Sequence, residues 1–229
     1  MAERLHYGQF CPVAQAAEVV GERWTPLVLR ELLDGSRRFN EIRRGVPKMS
    51  PSLLSRRLRQ LERAGVVDRR TAGRSVEYHL TAAGEELRPV IEGLGAWGKR
   101  WTTSDLGRRD LDAGLLMWDV RRHVLRDRLP RQRAVVAFRF PDAPPPHRRF
   151  WLVVSREEVD LCLRDPGHEV DLWLTSDVAT FTAIWLGDLA LAEALAAGRL
   201  EVEGAADLAR TLGDWLGSSA VAGIPRRRA

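Results

Sequence analysis

The sequence predicts an α+β protein in two parts: a helical N-terminal half carrying one short hairpin, then an antiparallel sheet covered by helices. Three observations predict it. Apolar residues recur at helical spacing from Val13 to about Trp101, with a single interruption at Val66–Leu80. That interruption reads as two short strands around a glycine turn. Beyond it, runs of strict apolar alternation follow one another from Val136 to Leu174.

The N-terminal elements follow in order. Pro26 stands where a first-turn proline is tolerated, and Leu27, Val28, Leu32 and Leu33 give the apolar stripe of a helix stopped by Asp34-Gly35-Ser36. A short helix is expected over Phe39–Val46, closed by Pro47. Ser50-Pro51 reads as an N-cap with proline at the first helical position, opening a helix to Ala64 that stops at Gly65. Val66–Arg70 and Ser75–Leu80 are the hairpin strands, turning at Ala72-Gly73-Arg74. Thr81 is expected to cap one long helix through Trp101. The polar stretch Thr102–Arg109 reads as a linker, giving domains of 1–104 and 105–229.

After the linker, helical pattern resumes at Leu111. Val136/Phe138/Phe140, Phe150/Leu152/Val154, Val159/Leu161/Leu163 and Val170/Leu172/Leu174 each alternate, which predicts an antiparallel, half-buried sheet. Asp142–Pro146 is the loop between the first two strands. Helices are expected over about Asp177–Trp185, Leu189–Ala197 and Ala206–Leu216, with a brief apolar stretch at Leu200–Gly204.

Composition narrows the function classes. With 45% hydrophobic and 29% charged residues, the 229-residue chain has the balance of a globular protein. A net charge of +5 suits an acidic partner. Cys11 and Cys162 lie far apart without metal-ligand spacing, and neither a signal pattern nor an apolar run of about 18 residues occurs, so a cytoplasmic protein without membrane contact is expected. Nucleophile elbows, paired metal ligands and glycine-rich phosphate loops are missing, so neither an enzyme nor a cofactor is expected.

Positive charge gathers on one segment. Twelve Lys and Arg residues lie between residues 37 and 74, opposed only by Glu41, Glu62 and Asp68. At 100° per residue, Leu54, Leu58 and Leu61 fall on one face of the helix after Ser50, while Ser52, Ser55, Arg56, Arg59 and Arg63 fall on the other. Hydroxyls and guanidiniums bind phosphate oxygens, and Arg reads guanine bidentately. A solvated arginine-rich face is the plainer alternative. Short helix, turn, second helix and basic hairpin occur here in the order of a winged helix-turn-helix, which favours duplex DNA. The candidate contacts are Arg37, Arg38, Asn40, Lys48, Ser50, Ser52, Ser55, Arg56, Arg59, Arg63 and, on the wing, Arg74.

Cys11-Pro12-Val13, Gly21–Thr25, Arg38–Ile42, Ser50–Glu62 and Val76–Gly84 together resemble the HxlR-type winged-helix regulators over about residues 5–101. The resemblance implies a DNA-binding homodimer built from the N-terminal segment and the long helix before Trp101. It also implies Ser50–Arg63 as recognition helix and a near-palindromic operator with half-sites about 34 Å apart. Some members of that family sense oxidants or electrophiles through a cysteine near Cys11, whose acidity Arg4 and His6 would raise. A small residue packed at the dimer seam is the other reading.

The C-terminal half is rich in rings. Trp118, Phe138, Phe140, Trp151, Trp173, Phe181 and Trp185 are candidate lining for an apolar ligand, although such rings more often simply fill a core. Val170–Asp177, Phe181–Gly187 and Ala194–Gly204 resemble the end of a sterol-carrier-protein domain, over about residues 111–217. This resemblance implies a sheet and helices enclosing a hydrophobic ligand. The functional expectation is a transcription regulator, a repressor, whose operator affinity responds to an apolar effector. The alternative is a ligand-independent regulator whose C-terminal domain dimerises or recruits a partner.

Overall fold

The protein is described from a computed structural model over residues 6–73, 75–102, 107 and 110–227; Arg4, Arg74 and most of the expected linker lie outside these described residues. The chain forms two compact units, Met1–Gly95 and Ala96–Ala229.

The first unit begins with α1 (Pro12–Val20), α2 (Thr25–Leu33), α3 (Phe39–Gly45) and α4 (Pro51–Arg63). Their apolar stripes meet in one core, where Val28, Leu29, Leu32, Ile42, Leu54, Leu58 and Leu61 are all buried. Trp24, between α1 and α2, has a left-handed backbone at φ 77°. For a bulky residue that conformation costs about 1–3 kcal/mol, offset here by packing its ring against the core. The wing is β1 (Val67–Ala72) paired antiparallel with β2 (Ser75–Leu80), from Val67 opposite Leu80 to Ala72 opposite Ser75.

The long helix expected from Thr81 to Trp101 is in two pieces, α5 (Ala82–Glu85) and α6 (Arg88–Trp101). Pro89 explains the break: it has no N–H for the Glu85 carbonyl, and its ring would clash there. Thr81 caps α5, its Oγ accepting from the Gly84 amide at 3.2 Å and donating to the Gly65 carbonyl at 2.6 Å. A Cβ on Gly84 would stand 2.3 Å from the Val66 carbonyl oxygen. That oxygen already accepts from the Thr81 amide at 3.1 Å, so it is not free to retreat. Gly84→Ala is therefore expected to cost about 1–3 kcal/mol, read as a lower urea midpoint with an unchanged m-value.

The second unit holds α7 (Ala113–His123), a 3-10 turn at Arg126–Arg128, β3 (Arg133–Arg139), β4 (Arg149–Ser155), β5 (Val159–Cys162), β6 (Leu172–Ser176), α8 (Val178–Trp185), α9 (Leu191–Ala196) and β7 (Leu200–Gly204). It ends in α10 (Ala206–Arg210) and α11 (Leu212–Trp215), where one helix was expected. Thr211 separates them, its hydroxyl bonded back to the Asp207 carbonyl at 2.8 Å, a contact that bends helices.

The five strands order as β5-β4-β3-β6-β7. Three pairings are antiparallel as expected, but the central one, β3 with β6, is parallel. Parallel neighbours need a connection that returns along the sheet, and the Leu163–Asp171 segment between β5 and β6 supplies it. Its Val170 packs on the sheet face away from the helices, with Val135, Ala137, Trp151 and Trp173. The other face carries the main core. Val136, Phe138, Phe150, Leu152 and Leu174 meet Met117, Phe181, Leu208 and Trp215 from the helices. Two ties hold this layer in register: Trp185 Nε1 donates to Asp119 at 2.7 Å, and Arg131 bridges Asp171 and Asp207. No described helix is long and apolar enough to cross a membrane.

Candidate nucleic-acid interface

Helix α4 is built to turn its cations outward. Ser50 caps it, accepting from the Leu53 amide at 3.3 Å, and Pro51 fills the first position. Leu54, Leu58 and Leu61 anchor the inner face. Arg56, Arg59 and Arg63 are exposed on the outer face, and among the described residues none meets a carboxylate. Three unpaired guanidiniums on successive turns leave their donors available to an external anion. Ser52 is exposed beside the cap, its Oγ 3.2 Å from that of Ser50, while Ser55 is half-buried.

Arg57 separates structural from available charge on the same helix. It follows Leu54 by three residues and precedes Leu61 by four, so it lies on the buried row. Its side chain pairs with Glu22, donates to Gln60 at 2.5 Å and reaches the Arg23 carbonyl at 3.2 Å, tying α4 to the α1–α2 corner. Beneath α3, the fully buried Glu31 accepts from Arg30 at 2.8 Å and Ser36 at 3.2 Å. Gly45 leaves room for it, since a Cβ there would overlap the Glu31 carboxyl. The composition-level charge count gave no sign of either device; the helical wheel points to both, because Arg57 and Glu31 fall on apolar stripes.

The remaining candidates differ in exposure and in their partners. Asn40 on α3 and Lys48 in the turn before α4 are exposed. Arg38 is exposed and lies 3.5 Å from Glu77 of the wing. Arg37 is half-buried and donates to the Leu32 carbonyl at 2.5 Å, closing the end of α2. Arg74 lies outside the described residues, beside Gly73 with φ +60° in the wing turn. Arg43 and Arg69, absent from the expected contacts, are exposed on α3 and β1.

A sequence model of the HxlR-like helix-turn-helix family matches residues 19–106. The regulator YdeP of Bacillus subtilis is 39% identical over 94 residues, spanning 40% of this chain and 73% of YdeP. The regulator YvaP of the same organism is 35% identical over 101 residues, 42% of this chain and 94% of YvaP. The chain belongs to the HxlR-like helix-turn-helix family. Both relatives are named HTH-type transcriptional regulators. The solved reduced form of YodB from Bacillus subtilis aligns at 32% identity and a TM-score of 0.36, over 43% of this chain and 99% of that one. Residues 120–216 match the SCP-2 sterol transfer family, so this HxlR-like chain carries an SCP2 domain after its helix-turn-helix.

Two other features of this HxlR-like protein bear on function. Val90, Leu94, Trp97 and Trp101 of α6 are all exposed and spaced four, three and four apart, the pattern of a helix-pairing seam. Tyr7, Phe10 and Val13 near the N-terminus are exposed as well, Phe10 to 96%. Cys11 is free and half-buried at the start of α1. His6 is engaged elsewhere, accepting from the Gly8 amide at 2.9 Å and lying 3.2 Å from Glu18.

The seven rings of the second unit do not form one lining. Phe138, Phe140, Phe181 and Trp185 belong to the helix-covered core, where Phe138 and Phe140 meet Phe181 edge-on at 5.5 and 5.7 Å. Trp118 is buried on α7, under Arg121 and Arg122. Trp151 and Trp173 are on the opposite sheet face, with Arg139 stacked over Trp173 at 4.7 Å. Strand parity explains the split: Ala137 pairs with Trp151 on one side and Trp173 on the other, whereas Phe138 pairs with Phe150 and Leu174. Among the described residues no cluster of His, Cys, Asp or Glu suits a metal ion.

Proposed function

We propose that this protein is a homodimeric transcription regulator that grips duplex DNA through paired α4 helices, and that an apolar effector in its SCP2 domain shifts operator affinity. One observation carries the DNA half: the unpaired row Arg56, Arg59 and Arg63 on a capped, amphipathic helix inside the family match. Ser52, Ser55, Asn40, Lys48 and Arg38 flank that row, and the N-terminus of α4 at Ser50 favours a phosphate. Arg37 positions the end of α2, and Arg74 is assigned as the wing's DNA contact. A near-palindromic operator follows from two-fold symmetry, and repression from occupancy of that operator. The α6 seam supports the dimer. The protein acts in the cytoplasm, binding without catalysing a reaction, with the two functions divided at residues 104–105.

The match of residues 120–216 to a sterol transfer family supports the effector. A second reading, a ligand-independent regulator, is favoured by the edge-to-face ring contacts that close the layer under α8. Native mass spectrometry of protein purified from its host separates them, followed by gel shifts on the gene's own upstream DNA before and after delipidation. The effector reading expects a dimer, a retained apolar mass, and an affinity change of about 5- to 150-fold on removing it. Equal affinities in both arms leave the second reading standing.

A further inference from the structure

Lysine is almost never fully buried unless paired, yet the Lys99 side chain, in the last turn of α6, is only 4% exposed. Its ammonium bonds to Asp188, in the turn after α8. Asp188 takes two more bonds from Arg226, at 2.8 Å on each oxygen, a bidentate charge-assisted pair. Arg226 foremost, with Lys99, holds the Asp188 carboxyl below its usual range against the opposing effect of burial. The next residue, Arg227, donates its amide to the Arg100 carbonyl at 2.8 Å and places its guanidinium over the Trp101 ring. Two segments therefore close on the last turn of α6, which belongs to the same second unit.

The turn bearing Asp188 has little freedom. Gly187 ends α8 at φ +72°, and a Cβ there would stand 2.4 Å from the Ala222 carbonyl oxygen. The Asp188 amide bonds to the Ala183 carbonyl at 2.8 Å. Ala183 lies between Phe181 and Trp185, the residues by which α8 enters the ring layer. One helix thus leads from the ring layer to the Lys99 anchor. At the other end of α6, Ile91 packs against the helix-turn-helix core.

We propose that Asp188 is a latch on the dimer helix. By gripping Lys99 it ties the position of α8 to the last turn of α6, and so to the pairing of the recognition helices. The proposal rests on the reading of α6 as dimer helix and α4 as DNA reader.

Hydrogen exchange of the full-length protein, without DNA or added ligand, tests the grip. Asp188→Asn and Lys99→Met are each expected to speed exchange in the last turn of α6 about tenfold or more, leaving α4 unchanged. Lys99→Met keeps the Asp188–Arg226 pair, so it reports on the tie to α6 even where Asp188→Asn folds poorly. Gel shifts with the same variants are expected to weaken about 5- to 50-fold. Unchanged exchange overturns the latch. Faster exchange with unchanged DNA affinity also overturns it, since the grip would then transmit nothing. Wild-type protein that bound no specific DNA would instead sink the proposed function, because the exchange result is read without DNA.

Discussion

Replacing Arg56 and Arg59 together by alanine is expected to abolish specific DNA binding while leaving the fold intact. Both side chains are exposed, and neither meets a carboxylate among the described residues. Their removal should therefore change stability by no more than about 0.5 kcal/mol. A dimer loses four guanidiniums at once. At about 1 kcal/mol or more per contact, affinity falls about 1000-fold at physiological salt. If all four neutralise phosphates, the log–log salt dependence also becomes shallower by about 3–4. The two readouts separate roles: a shallower slope marks phosphate contact, and relaxed sequence preference marks base reading. Arg57→Ala is the informative contrast. It removes a buried tie to Glu22 and Gln60, so it should lower the thermal midpoint and reduce binding only through that loss. A gel shift unaltered by the double substitution places the interface away from α4.

The N-terminal architecture was legible because its signals are local. Ser50-Pro51 announces a capped helix, Gly73 a tight turn, and a row of leucines at helical spacing a buried face. Where reading failed, a single local residue outweighed a pattern or a distant one completed it. Pro89 breaks a helix whose apolar periodicity runs straight through it. The parallel pairing of β3 with β6 follows from how the Leu163–Asp171 segment travels, and alternation within a strand carries no information about its neighbour's direction. The split of the ring cluster, by contrast, was legible in the alternation that put Phe150 and Leu152 on one face. Trp151 and Phe150 are adjacent and equally apolar, but successive strand residues face opposite sides. Asp188 was invisible for a different reason: its partners Lys99 and Arg226 are 89 and 38 residues away.

Leu94→Glu is expected to convert the proposed dimer to monomers. The exposed seam of Val90, Leu94, Trp97 and Trp101 has a four-three-four spacing that lets two copies of α6 pack along one stripe. A two-fold axis presents the same patch of both copies, so one substitution places two carboxylates in the contact. Each buried ion costs several kcal/mol unless paired, and these two repel. The monomer should tolerate the change, since Leu94 is half exposed there and glutamate favours helix. Sedimentation at micromolar concentration is expected to report a single 25.8 kDa species with a near-native circular dichroism spectrum. A variant that remains dimeric places the interface elsewhere, with Tyr7, Phe10 and Val13 the next apolar surface to substitute. Operator binding is a second readout, because dimerisation converts the second half-site contact into an intramolecular one. Losing that advantage typically costs about 10²- to 10⁴-fold in affinity, although α4 and all its arginines are untouched. The comparison with Arg56→Ala/Arg59→Ala then apportions the binding. Equal losses would mean that pairing the recognition helices matters as much as the guanidiniums they carry. In that case any element that moves α6 controls the operator without touching DNA.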